Sequence, residues 1–104
     1  MQPMFEPPQG GYETELLCPK CKGNYLHHGR IEVFEREQDQ PKGLHVTVES
    51  GTVTTDTSMT GNPSMRRHGF LIYFSCELCQ EDSVLRVAQH KGNTHVSFVA
   101  QGET

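Results

Sequence analysis

The sequence predicts a small, all-β, mostly antiparallel domain, and three observations carry that expectation. Apolar and polar residues alternate in several short runs, clusters of Gly, Pro, Asn and Asp divide those runs, and no stretch shows a helical period. The 104 residues suffice for one domain, but only 34% are hydrophobic and none is tryptophan, so the core is thin and the fold needs a staple. Residues 1–13 are expected to form a flexible N-terminal arm and residues 14–104 a single β domain.

The first twelve residues hold three prolines and two glycines with few apolar side chains, which cannot build a packed element; Met4, Phe5 and Tyr12 are the adhesive residues there. Residues 14–17 read as a short extended lead into Cys18-Pro19-Lys20-Cys21, where Pro19 has its φ already fixed and Gly23 is expected to supply the positive φ of the turn. In residues 25–36, Ile31 and Val33 alternate with Arg30, Glu32 and Phe34, the period of a half-buried strand. Asp39, Pro41 and Gly43 punctuate a turn over residues 38–43. Residues 44–49 follow with Leu44, Val46 and Val48 on one side, and Ser50-Gly51 turns the chain into a weaker run at 52–55.

Periodicity is lost over residues 56–69. Residues 70–75 are the most apolar stretch, expected to be the central strand, buried on both faces, and they run directly into Cys76-Glu77-Leu78-Cys79. Residues 83–89 and 94–100 are two further strands joined through His90-Lys91-Gly92-Asn93, where glycine and asparagine suit a hairpin turn. The last of them puts Val96, Phe98 and Ala100 on one side and His95, Ser97 and Val99 on the other.

The four cysteines all belong to two C-x-x-C pairs. A spacing of two lets one tight turn present both sulfurs to one ion, so two such turns close a tetrahedral four-thiolate shell, and Zn²⁺ is the ion that shell suits best. The predicted ligands are therefore Cys18, Cys21, Cys76 and Cys79, holding one structural zinc. Redox or structural disulfides and another thiolate-held metal such as iron are the alternatives the residues leave open. The disulfide alternative fits poorly, because no apolar h-region follows Met1 and a cytoplasmic location, which keeps thiols reduced, is the expectation.

Cys18-Pro19-Lys20-Cys21 followed far downstream by Cys76-Glu77-Leu78-Cys79 resembles the pair of knuckles of a zinc ribbon, in which turns at the ends of β-hairpins clamp one zinc. The chain is similar to small single-domain zinc-ribbon proteins of bacteria and their phages, and the resemblance implies an extended sheet with the metal clamped where both knuckles lie. Glycine in that family often follows the second cysteine of a knuckle directly. Here Lys22 stands before Gly23, and Gln80-Glu81 follows the second knuckle with no glycine, so a less regular knuckle backbone is expected.

No run approaches the roughly 18 apolar residues of a membrane helix, so a soluble protein is expected. The formal net charge is −4, and four thiolates with one Zn²⁺ take it to about −6, so nucleic acid binding needs a local basic patch. The aperiodic residues 56–69 are the candidate binding loop, with Asn62, Arg66, Arg67 and His68 as its contact residues. Arginine forks there suit phosphate or a partner's carboxylates, and the turn at residues 61–64 offers backbone N–H groups to an anion; the plainer alternative pairs Arg66 and Arg67 with nearby glutamates such as Glu32, Glu35 or Glu49.

The six histidines, His27, His28, His45, His68, His90 and His95, form no H-E-x-x-H or H-x-E pattern, and no nucleophile elbow, Walker loop or dinucleotide fingerprint is present. A four-cysteine shell keeps no position for water or substrate, so an enzyme is not expected. The leading expectation is a zinc-stapled interaction module that binds a protein partner. The alternatives are a nucleic-acid-binding ribbon using Arg66, Arg67, Lys20, Lys22 and Lys91 with Tyr25 or Tyr73 stacking a base, and an enzyme of unrecognised class. An exposed sheet edge would also allow a homodimer.

Overall fold

A computed structural model of the chain describes residues 15–101; the arm expected over residues 1–13 lies outside the described residues. Six strands follow one another as β1 (Leu26–Glu35), β2 (Leu44–Glu49), β3 (Thr52–Asp56), β4 (Gly69–Cys76), β5 (Asp82–His90) and β6 (Asn93–Ala100). They form one sheet in the order β3-β2-β1-β4-β5-β6 with every pair antiparallel. No helix of the described residues is long and apolar enough to cross a membrane.

Turn chemistry explains the hairpins. Ser50 and Gly51 (φ 52° and 76°) join β2 to β3, and Lys91 and Gly92 (φ 49° and 83°) join β5 to β6. Two successive positive φ values make the two-residue turns whose twist matches that of the flanking strands. The left-handed pair falls on Lys91-Gly92, so Asn93, expected in the turn, is the first residue of β6. A β-bulge between His28 and Ile31 shifts the register of β1 against β4.

Strand pairing sorts the side chains into two unlike faces, because directly opposed residues share a face. On one face Val53, Val48, Ile31, Ile72, Leu85 and Phe98 are successive cross-strand partners from β3 to β6. One step toward the far end of the sheet, Thr55, Val46, Val33, Phe70, Val87 and Val96 form a second row on the same face. Strands contact only their sheet neighbours, and the rows are open where Val53, Val48, Phe70 and Val96 are exposed but closed at the β6 end of the first row, where Phe98 is fully buried with Phe74 edge-on to it at 5.6 Å. Phe70 is 36% exposed and Ile72 only half-buried, which corrects the expectation that β4 is buried on both faces.

The opposite face carries the larger enclosed cluster. Phe34, Leu71, Val84 and Val99 are buried there, with Met59 and Tyr73 packed against them. Met59 belongs to the 57–68 segment, which crosses this face on its way from the β3 edge to β4 in the middle of the sheet. Gly69 marks its close approach: a Cβ there would lie 2.4 Å from Asn62 Oδ1 and 2.9 Å from Pro63 Cγ.

Candidate metal centre

β1 starts and β4 ends at the same edge of the sheet, where Leu26 pairs with Cys76. The first knuckle precedes β1 and the second follows β4, so this one register brings together cysteines 55 to 61 residues apart in sequence. The two turns are built alike. Lys22 N–H donates to the Cys18 carbonyl (3.0 Å) and Cys18 N–H to the Gly23 carbonyl (2.8 Å). In the second knuckle Gln80 N–H donates to the Cys76 carbonyl (2.9 Å) and Cys76 N–H to the Glu81 carbonyl (3.2 Å).

The left-handed residue is Lys22 (φ 65°) in one knuckle and Gln80 (φ 59°) in the other. The knuckle backbone is thus regular, contrary to expectation, and the positive φ expected of Gly23 sits one residue earlier. Gly23 answers a different need: a Cβ at that position would meet the Leu78 side chain of the facing knuckle and lie 3.3 Å from Cys21 Sγ of its own, so the exposed Leu78 would have to shift to admit a side chain.

All four sulfurs are free and lie within 4.8 Å of one another. Cys18 Sγ is 3.7 Å from Cys79 Sγ, and Cys21 Sγ is 3.6 Å from Cys76 Sγ. A tetrahedral ion with metal–sulfur bonds of about 2.3 Å sets its sulfurs about 3.8 Å apart, so the residues fit a four-thiolate metal. A disulfide needs about 2.05 Å. Cys18 and Cys76 are buried, Cys79 half-buried and Cys21 exposed.

The thiol chemistry points the same way. The Cys79 N–H holds the Cys76 thiol down to about 7 against the opposing pull of burial. At Cys79 the Glu81 N–H also favours the thiolate, yet burial and the facing sulfurs of Cys18, Cys76 and Cys21 push the thiol up to about 12. Four sulfurs this close cannot all ionise unless a cation sits among them. Around the cluster, Glu77 N–H donates to the Tyr25 carbonyl (3.0 Å), and the His27 imidazole meets the Glu77 carboxylate. Comparison of the chain with family models, curated proteins and solved structures finds no match.

The candidate binding loop lies at the other end of the sheet and is largely closed on itself. Arg66 forks onto the Asp39 carboxylate, with Nη2 to Oδ2 at 2.8 Å, and Arg67 Nη2 donates to Gln38 Oε1 at 2.7 Å. The partner of Arg66 is therefore an aspartate of the β1–β2 connection rather than Glu32, Glu35 or Glu49. Asn62 Oδ1 accepts the Ser64 N–H (2.9 Å), which occupies an N–H of the turn expected to face an anion, and Asn62 Nδ2 donates to the Arg67 carbonyl (3.0 Å). His68 Nδ1 accepts the Arg36 N–H at 3.1 Å.

The basic residues are also split between opposite ends of the sheet. Lys20 and Lys22 sit at the cysteines, while Arg66, Arg67 and Lys91 lie at the far end, a strand length of roughly 25 Å away. Tyr73 is occupied as well: its hydroxyl donates to Glu32 Oε2 (2.9 Å) and its ring lies 4.1 Å under the Arg30 guanidinium.

Two features are absent from the sequence-based site. His45 bridges Glu32 Oε1 (2.8 Å) and Asp56 Oδ1 (2.9 Å) and stacks on Phe34 at 4.4 Å between ring centroids. Arg36 donates to the carbonyls of Ser64 (2.9 Å), Gln40 (3.1 Å) and Arg67 (3.3 Å). Strand register would have exposed the first, since Phe34, His45 and Asp56 are cross-strand partners. The second depends on how two loops meet, for which a sequence gives no signal. Among the described residues the four cysteines are the one group of three or more candidate ligands placed to share an ion.

Proposed function

We propose that the chain is a zinc-stapled β-sheet module that binds a protein partner through the apolar face of its sheet. Four thiolates suit Zn²⁺, and a shell they complete has no open position for water, so the ion is structural and the module is not an enzyme. One observation carries the binding reading: of the eight large hydrophobic residues exposed among the described ones, Leu44, Val48, Val53, Phe70 and Val96 lie on that face. Soluble monomers rarely leave so broad an apolar patch to water, and interaction surfaces are the usual reason for one. The arginines of the 62–68 segment, engaged with Asp39 and Gln38, lend little to a nucleic-acid reading.

The test places a photo-crosslinking benzoyl-phenylalanine at Phe70 of the full chain in the cells that make it. Adducts should be removed by protease and resist nuclease, and adding Val48→Glu on the same face should abolish them. Nuclease-sensitive adducts, or adducts unaffected by Val48→Glu, would defeat the proposal.

A further inference from the structure

We infer that the occupant of the apolar face is a second copy of this chain, the two sheets packing face to face across a two-fold axis as a β-sandwich. The inference rests on the reading of that face as a protein-binding surface and names its partner. An apolar sheet face needs a second layer, and the described strands supply none over the exposed Val48, Val53, Phe70 and Val96, each strand contacting only its sheet neighbours; of the two rows only Phe98 is already buried. The usual solution stacks two such faces about 10 Å apart with their side chains interdigitated.

Size agrees. With strands about 4.8 Å apart and about 3.4 Å per residue, six strands of about six residues span a plane of roughly 600 Å², near the roughly 800 Å² of accessible surface each partner gives to a standard stable interface.

Charge decides between a second copy and an unlike partner of strong charge. The chain carries a formal net charge of −4, so two copies repel wherever acidic surfaces meet. The two cross-strand rows, from Val53 to Phe98 and from Thr55 to Val96, contain no ionisable side chain; the ionisable residues of that face, His28 opposite Phe74 and Glu35 opposite Leu44, stand beyond the rows at its two ends. The opposite face holds Glu32, Glu49 and Asp56 in the same strands. An isologous dimer requires a surface that tolerates its own image, which these rows provide; they offer nothing to pair with an acidic or basic ligand.

The experiment uses the purified, zinc-loaded full chain, with mass measured by sedimentation from about 1 to 200 μM and side-chain protection by hydroxyl-radical footprinting. Burying a glutamate against its own image in the dimer should weaken self-association roughly 100-fold, so Val48→Glu should be monomeric where the parent is dimeric. Thr54→Glu, on the neighbouring strand and the other face, should dimerise as the parent does. Zinc content of each variant confirms that it is folded. In the parent, Phe70 should be protected at high concentration and modified at low.

A dimer in which Phe70 stays fully modified places the contact elsewhere, such as the β3 or β6 edge, and overturns the inference. A monomer at all concentrations with Phe70 modified also overturns it but leaves the protein-binding reading standing. A monomer with Phe70 protected means that the chain's own terminal residues cover the face, and then both readings fall.

Discussion

Lys22 and Gln80 are equivalent residues of the two cysteine knuckles, both left-handed, at φ 65° and 59°, and both donating their N–H to the carbonyl of the first cysteine four residues earlier. Side chains with a Cβ hold that conformation at a cost of about 1–2 kcal/mol, of which glycine's greater freedom in the unfolded chain offsets about 0.4–1 kcal/mol. Lys22→Gly and Gln80→Gly should therefore each stabilise the zinc-loaded protein by about 0.5–1 kcal/mol, a rise in melting temperature of about 2–8 °C. Gly23→Ala, at the adjacent position with negative φ, should not behave this way, because its added methyl meets Leu78 and Cys21 Sγ. Calorimetry on the three variants distinguishes a φ effect from a packing effect.

Metal removal should unfold the sheet. The enclosed apolar side chains are the cluster of Phe34, Leu71, Val84 and Val99 with Met59 and Tyr73, together with Phe98 and Ala100, too little apolar burial to hold six strands unaided. Chelation, or Cys76→Ser, should abolish most of the far-ultraviolet β signal, and elemental analysis of the parent should return one zinc per chain. Replacement by Co²⁺ should give the intense thiolate-to-metal absorption of a tetrahedral four-sulfur site. A metal-free chain with its full β signal would contradict the stapling role.

How far the sequence reveals this molecule depends on the range of each interaction. Alternation of Leu44, Val46 and Val48 and the Ser50-Gly51 turn are local, and they mark β2 and its hairpin to β3. Cysteine spacing is equally local in each knuckle, so the four sulfurs are legible even though register brings them together. Burial is not local. The run at residues 70–75 is as apolar as a strand covered on both sides, and only the folded structure shows Phe70 left exposed and Ile72 half-buried. Positive φ at Lys22 defeats the expectation for Gly23 because glycine serves two needs, unusual torsion and close approach, and sequence does not say which. The pairing of Arg66 with Asp39 joins residues 27 apart in two irregular loops, beyond any periodic signal.

Arginines near the loop should differ sharply in what they hold. Arg36 satisfies three carbonyls from both loops at the far end of the sheet, while its own N–H binds His68. Arg36→Ala leaves those carbonyls without a charged donor and should cost about 2–3 kcal/mol; Arg36→Lys should recover little, since an ammonium lacks the planar fork. Arg66→Ala, at the exposed rim, and Arg67→Ala, half-buried but with its guanidinium on the Gln38 side chain, should leave zinc content and melting temperature close to those of the parent. Urea denaturation of the four variants gives the ranking, and equal losses for Arg36 and Arg66 would show that the carbonyl cluster is not what fixes the loop.

Stability should fall as pH rises through neutrality because of His45. Burial favours its neutral form, but hydrogen bonds to Glu32 and Asp56 favour the imidazolium and win, holding its pKa above the usual histidine value. Both ring nitrogens face carboxylate oxygens, at 2.8 and 2.9 Å, an arrangement a neutral ring with one N–H cannot satisfy on both sides. The other groups around it are Thr47, the Phe34 ring stacked beneath, and, across Glu32, Tyr73 and Arg30. A folded pKa above the unfolded one gives a contribution that is complete below about 6.5, the unfolded histidine value, and lost as pH passes through the higher folded value. Asp56 sets the acid limit of its pair with His45: the Ser58 N–H and then His45 hold its carboxyl below the usual aspartate range, so that pair keeps its charges until the pH falls well into the acid range. Urea midpoints should therefore decline from pH 6 to 9 in the parent and much less in His45→Gln, with Thr54→Glu, which leaves the triad intact, following the parent. Identical slopes for the parent and His45→Gln would show that His45 is neutral in the folded chain and that the two carboxylates hold it as a hydrogen-bonded ring rather than an ion.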